Sequence, residues 1–355
     1  MQKAPDTDQL VTADLHQRAR ETAILAREMA TDTERLGHVH PKVLADLQQK
    51  SLPHLIRDGA SIREYMEVCG ILAEGCMSTG WCNFVWGAHE HLISLFPAEI
   101  METVWVDSKT LVSASLGPAG HATEIDAGGG TVSGRWRFNS GCDHASWLLL
   151  GVAVEDSEPY LALVHESEVS IEDTWQVMGL RGTGSKDAVC DSLRLPRARL
   201  LPFSECIVPY SALLVLVIVG PVIGGAQSAV DEYARQVKEQ EPFSVLRVSE
   251  ASAEVDAART VALAAADMLD RNLTPGDVES LKIFRDAAFA AKLCNRATQR
   301  VFEAAGGSAL HESRPLQRIF RDVTAGCAHA RLRWDTNALP YGKYLAQKMT
   351  NYAEP

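Results

Sequence analysis

RWRFNSGCDHASW, Arg135 to Trp147, begins like the end of a β-strand. It then sets Asn139, Ser140, Gly141, Cys142, Asp143 and His144 in a row before the next apolar run. A plain hairpin turn takes about two to five residues and often one glycine. This stretch is longer and more polar, which suits a lip that holds something planar and polar. Its surroundings decide the class of fold. TVSGRWRF (131–138), WLLLGVAVED (147–156), PYLALVHES (159–167) and AVCDSLRLP (188–196) are short alternating or apolar runs with turn residues between them. They read as strands.

Outside this zone the period is helical. LHQRARETAILAREMA (15–30) and SIREYMEVCGILAEGCMST (61–79) repeat apolar groups every three or four residues, and PKVLADLQQK (41–50) places Pro41 at a first helical turn. After the strands come ASAEVDAARTVALAAADMLDRN (251–272) and DVESLKIFRDAAFAAKLCNRATQRVFEAAGG (277–307), both long, Ala-rich and amphipathic, the second ending in a glycine stop. The expectation is a mostly α, α+β chain in three parts. They are a helical domain over 1–108, a central β-barrel-like domain over 109–207, and a C-terminal bundle of about four helices over 208–355.

Several classes are disfavoured. The 355 residues are 46% hydrophobic and 23% charged, an ordinary globular balance. A net charge of −12 argues against a general nucleic-acid binder. The eight cysteines form no CxxC pair and read as free thiols in a reducing cytoplasm. No convincing metal spacing is present. LLVLVIVGPVIGGAQSAV (213–230) is very apolar, but Pro221, Gly224, Gly225 and Gln227 interrupt it, so a buried helix is expected rather than a membrane span. MQKAPDTDQL at the N-terminus lacks the apolar core of a signal peptide. DAGGGTVSG (126–134) has neither GxGxxG spacing nor a following helix, so it reads as a turn between strands.

Three strings in order carry a resemblance that covers nearly the whole chain. WQVMGLRGTGSKDAVCDSLRLPRARLL (175–201) resembles the β-domain signature of the acyl-CoA dehydrogenase superfamily. GPVIGGAQSAVDEYA (220–234) is similar to its first bundle helix, and AAGGSALHESRPLQRIFRDV (304–323) to its GG…P…RxxRD element. Within that superfamily, WRFNSGCDHASWLLLG (136–151) looks like the two-component flavin-dependent monooxygenases, such as the oxygenase components of p-hydroxyphenylacetate hydroxylase. Dehydrogenases often carry a catalytic Glu in a C-terminal EGT string. Here TAGCAHARLRWD (324–335) has His329 and no Glu.

The resemblance implies an oxygenase that receives reduced FMN or FAD, with FMN preferred, from a separate NAD(P)H:flavin reductase. It would react with O2 through a C4a-hydroperoxyflavin and hydroxylate a phenolic, aromatic or polyketide-like small molecule. Alternatives are N- or S-oxygenation on the same fold, or a flavin-dependent acyl-CoA dehydrogenase or oxidase. The lip would line the flavin ring, with Ser140 toward N(5) and Asn139, Gly141 and Cys142 offering backbone groups. In STGWCNFVWGAHEHL (78–92), Trp81 matches the branch and His89 is the first candidate for a base that makes the phenolate. His91, two positions on, cannot share its helix face. His329 is the second candidate or a partner for the peroxide. In LVSASLGPAGHATE (111–124), Ser113, Leu116 and Gly117 would run along the flavin and Ser115 would sit near substrate, with His121 in a loop. Arg318 and Arg321 would hold a phosphate, or else pair with Asp322 or Asp335. Homotetramers are implied, with no nucleic acid and no membrane.

Overall fold

The computed structural model describes residues 7–353. Most of the N-terminal stretch considered as a leader, residues 1–6, lies outside them. Six helices come first: α1 (Thr7–Glu28), α2 (Ala30–Leu36), α3 (Pro41–Gln49), α4 (Ile62–Gly75), α5 (Met77–Ile93) and α6 (Ala98–Val104). Seven strands follow: β1 (Val112–Asp126), β2 (Gly129–Asn139), β3 (Trp147–Val154), β4 (Tyr160–His165), β5 (Ser170–Glu172), β6 (Lys186–Leu195) and β7 (Leu200–Pro202). The chain then returns to helices: α7 (Phe203–Cys206), α8 (Ser211–Leu216), α9 (Val219–Ala234), α10 (Pro242–Arg271), α11 (Asp277–Ala305), α12 (Pro315–Cys327) and α13 (Trp334–Ala353).

One core runs through both helical regions and reaches the lip of the sheet. It includes Val43, Tyr65, Leu72 and Trp86 from the first region and Leu216, Ala262, Ala287 and Val301 from the second. The start of α4 is tied to the bundle. Ser61 and Glu64 form a capping box there, and Asp270 of α10 accepts from the N–H groups of Ile62 at 2.6 Å and Arg63 at 3.2 Å. The apolar run 213–230 is buried: the helical stretch Ser211–Ala234 has the length and hydropathy of a span, yet 94% of its most apolar window lies inside the protein. Small residues let it sit there. A Cβ on Gly224 would come within 2.0 Å of the Gly70 carbonyl oxygen, so α9 and α4 touch backbone to backbone.

The sheet order is β5-β6-β2-β1-β3-β4-β7, and only the β1–β3 pair is parallel. β2 and β3 therefore lie on opposite sides of β1, and the segment joining them must cross its end. Register places Ser113 of β1 beside Leu148 and sets Asn139 of β2 opposite Lys186 of β6. β1 bulges between Ser115 and Gly120, where Trp136 fills the space that a side chain at Gly120 would need. His121 is not in a loop, as expected, because β1 continues past the bulge and His121 pairs with Ser133.

Candidate active site

α5 is the helix on which the site is built. Every residue in it except His91 is buried. Trp81, Cys82, Trp86 and His89 fall on one face at helical spacing and meet the sheet lip. The indole N–H of Trp81 donates to Ser140 Oγ at 3.2 Å, and that of Trp86 donates to the Gly141 carbonyl at 3.3 Å. The thiol of Cys82 donates to the Thr183 carbonyl at 3.7 Å. His89 Nδ1 lies 3.2 Å from the Val112 carbonyl.

Gly141 stands at φ 72, in the left-handed region, and a Cβ there would lie 2.5 Å from Trp86 Nε1. Only glycine makes this turn without strain. Its N–H donates to the Thr183 carbonyl at 2.7 Å and its own carbonyl accepts from Trp86, so both backbone groups are engaged inside the protein. Cys142 likewise turns inward. Its thiol, pushed up to about 12 by burial, donates to the Gly184 carbonyl at 3.3 Å. Gly141 thus shapes the lip rather than presenting a free backbone donor, and the Cys142 side chain is committed inward. Asp143 pairs with Lys186, and His144 Nε2 lies 3.0 Å from the Val39 carbonyl, so the outer half of the turn is anchored too.

Three expected site residues converge. Ser113 Oγ donates to the Ser140 carbonyl at 2.8 Å, and Ser140 Oγ meets both Trp81 and, at 2.7 Å, Ser185 Oγ. Asn139 Nδ2 donates to the carbonyls of Trp136 and Lys186, which leaves Asn139 Oδ1 buried and without a partner among the described residues. His329, at the start of the short turn before α13, joins them through Trp81, ring centroids 5.9 Å apart.

The two histidines have opposite tautomers. A carbonyl only accepts, so His89 carries its proton on Nδ1 and leaves Nε2 bare. His329 Nδ1 accepts the Arg331 N–H at 3.2 Å, so its proton is on Nε2. Both are held near pKa 4, first by burial and then by the charge of Arg331, and both are neutral at pH 7. Arg331 forms no ion pair among the described residues, and burial lowers its own pKa. Sequence reasoning did not pick it out. Its sign was readable, but its seat beside two imidazoles was not.

Other expected residues lie elsewhere. Arg321 reaches Glu34 at 2.7 Å and the Met178 carbonyl at 2.5 Å, and Arg318 donates to Thr31 Oγ1 at 3.1 Å. Their partners come from α2, the 175–180 loop and, for Arg321, Gln317 of α12 at 3.0 Å, not from Asp335. Asp322 instead accepts the Leu180 N–H at 2.7 Å. Ser115 is half-buried at the edge of the β1 bulge, Leu116 packs under the sheet, and Gly117 is exposed. His91 turns away from His89 and packs edge-on to Tyr210, ring centroids 4.3 Å apart.

Residues 216–334 match the acyl-CoA dehydrogenase C-terminal domain family. Over 348 residues the chain is 30% identical to the flavin-dependent monooxygenase oxygenase subunit HsaA of Rhodococcus jostii, spanning 86% of this chain and 91% of that one. The chain belongs to the flavin-dependent monooxygenase oxygenase subunits. This oxygenase subunit is also 29% identical to the FADH(2)-dependent resorcinol hydroxylase oxygenase component of a Rhizobium species, over 92% of this chain and 91% of that one. The crystal structure of the 3-HSA hydroxylase from Rhodococcus sp. RHA1 superimposes with a TM-score of 0.87 at 28% identity, covering 94% and 97% of the two chains. The fold, family and enzyme class expected from the sequence are borne out, and reduced flavin and O2 are its reactants. The lip fits a reduced flavin ring chemically. Ser140 and Asn139 hold buried acceptor atoms, with Asn139 Oδ1 unpartnered among the described residues, and such atoms would suit a ligand that carries N–H donors.

Proposed function

We propose that this oxygenase subunit hydroxylates a phenolic small molecule. Reduced flavin arrives from a separate reductase and binds along Ser113, Asn139, Ser140 and Trp81. The observation that carries the reading is the bare Nε2 of His89 beside the cationic Arg331. When bound, the flavin supplies the activation of O2. The protein's own groups do the rest. His89 Nε2 accepts the hydrogen bond of the phenol hydroxyl and takes its proton as the ring becomes electron-rich. Arg331 favours the phenolate by its charge. His329 Nε2–H would serve as a donor to a developing negative oxygen. Buried walls from α5 and the lip keep water out.

Ser115, at the bulge of β1, would border substrate. FMN is favoured over FAD, and the assembly is a cytoplasmic homotetramer packed through the C-terminal helices. Arg318 and Arg321 already have protein partners, so they would serve a flavin phosphate only by sharing those contacts.

The test is turnover with a flavin reductase, isotopically labelled O2 and a panel of phenols, read by mass spectrometry. One labelled oxygen in the product supports the reading. His89→Gln should lower turnover by about tenfold or more. Labelled product only from sulfides or amines would assign S- or N-oxygenation instead.

A further inference from the structure

A chain of buried hydroxyls runs away from Ser140, and its direction is fixed by proton counting. Thr183 Oγ1 lies 2.8 Å from the Leu180 carbonyl, which can only accept, so the single Thr183 hydroxyl proton points there. Thr183 and Ser185 hydroxyls are 2.6 Å apart, so Ser185 must be the donor in that pair. The Ser185 proton is then engaged, and the 2.7 Å bond between Ser140 and Ser185 must have Ser140 as donor. The indole N–H of Trp81 occupies one lone pair of Ser140 Oγ. All three hydroxyl residues are buried, so no solvent proton can reverse the order.

The far end is held firmly. Leu180 sits at φ 55, its N–H donates to Asp322, and its carbonyl also accepts the Trp175 indole N–H at 2.9 Å. The carbonyls of Thr183 and Gly184 receive the Cys82 and Cys142 thiols. The loop therefore cannot easily turn to give Thr183 another acceptor.

We infer that Thr183 and Ser185 are positioning residues that make Ser140 present a lone pair, and not a proton, to the flavin. This rests on the proposed placement of Ser140 at the flavin N(5) edge. N(5) carries a hydrogen in reduced flavin and only a lone pair in oxidised flavin. A Ser140 acceptor matches the reduced form and faces the oxidised form lone pair to lone pair. The relay thus selects the redox state that the reductase delivers and helps release the oxidised product.

The test is anaerobic ultrafiltration of FMN and of FAD, each oxidised and photoreduced, against the full-length protein. Parent protein should bind the reduced form more tightly. Ser185→Ala, or Thr183→Val through Ser185, frees the Ser140 proton to point at N(5). Affinity for the oxidised form should then rise, and the reduced-to-oxidised preference should shrink by about tenfold. Thr183→Ser keeps the hydroxyl and should keep the preference. Thr183→Val is close to isosteric and carries the test should Ser185→Ala not fold. An unchanged preference, or equal weakening of both forms, in the variants that fold would overturn the relay. Ser140→Ala separates the two levels: if it alters binding of neither form, the placement of Ser140 at the flavin fails, and not merely the relay.

Discussion

The two faces of α5 are built on different principles. Toward the sheet it offers Trp81, Cys82, Trp86 and His89, all neutral, and each engages a backbone or hydroxyl oxygen of the lip, the 181–184 loop or the start of β1. Toward residues 52–57 it offers Asn83 and Glu90. Glu90 Oε1 lies 2.6 Å from His54 Nδ1, both side chains are 3% exposed, and Arg57 stands 3.6 Å off. On that second face His54 Nε2, Glu90 Oε2 and Asn83 Oδ1 have no partner among the described residues. The sheet-facing side thus places protons with little net charge, which suits a dry reaction space. The other side carries a buried acid–base pair that fixes the helix. The lesson is that a deeply buried acid–base pair need not be the chemistry.

The strongest way to break this contrast is to remove one member of the buried pair. Glu90→Ala leaves His54 and Arg57 without their carboxylate and should cost about 3–5 kcal/mol of stability. Chemical denaturation would read it, and oxygen-transfer activity per folded molecule should fall far less than stability. Gly141→Ala attacks the other face. It forces a side chain into the left-handed region and into the Trp86 ring, and should cost about 1–3 kcal/mol together with much of the activity. Should it retain full turnover, the lip would not be the site.

A smaller effect is expected from acid. Folded His89 and His329 refuse protons until about pH 4, whereas unfolded imidazoles accept them near 6.5. Between those values the unfolded chain binds more protons, so stability falls as pH drops. Asp322 opposes this, because its folded carboxyl, raised to about 6 by burial, takes up a proton ahead of the unfolded one. His89→Gln should therefore flatten the difference in slope by up to about 1.4 kcal/mol per pH unit, and denaturation at pH 7 and pH 5 would measure it. A variant slope equal to that of the parent would mean that His89 is not neutral in the fold. Least affected should be Cys82→Ala, which removes one weak thiol donor to the Thr183 carbonyl and should cost about 1 kcal/mol or less.

The change of period from helix to strand and back is visible in the sequence because burial imposes it residue by residue. The polar run at 139–144 stands out for the same reason, since few turns need so many small polar groups. The partners were not legible. Ser185 meets Ser140 only because Asn139 pairs with Lys186 across β2 and β6, a register that local patterns do not specify. Arg321 looked free for a phosphate because Glu34, nearly the whole chain away, gives no local sign of its approach. His54 and Glu90 are 36 positions apart and carry no spacing that links them. Long-range pairing decides which polar groups remain available, and so decides the site.

The most direct test of the central claim is stopped-flow absorbance after mixing protein and anaerobically reduced FMN or FAD with oxygenated buffer. A protected oxygen-reacting site predicts that oxidised flavin returns more slowly than it does in free solution. It also predicts that Ser140→Ala shortens the delay. Return at the free-flavin rate with both cofactors, with phenol present or absent, would contradict the account.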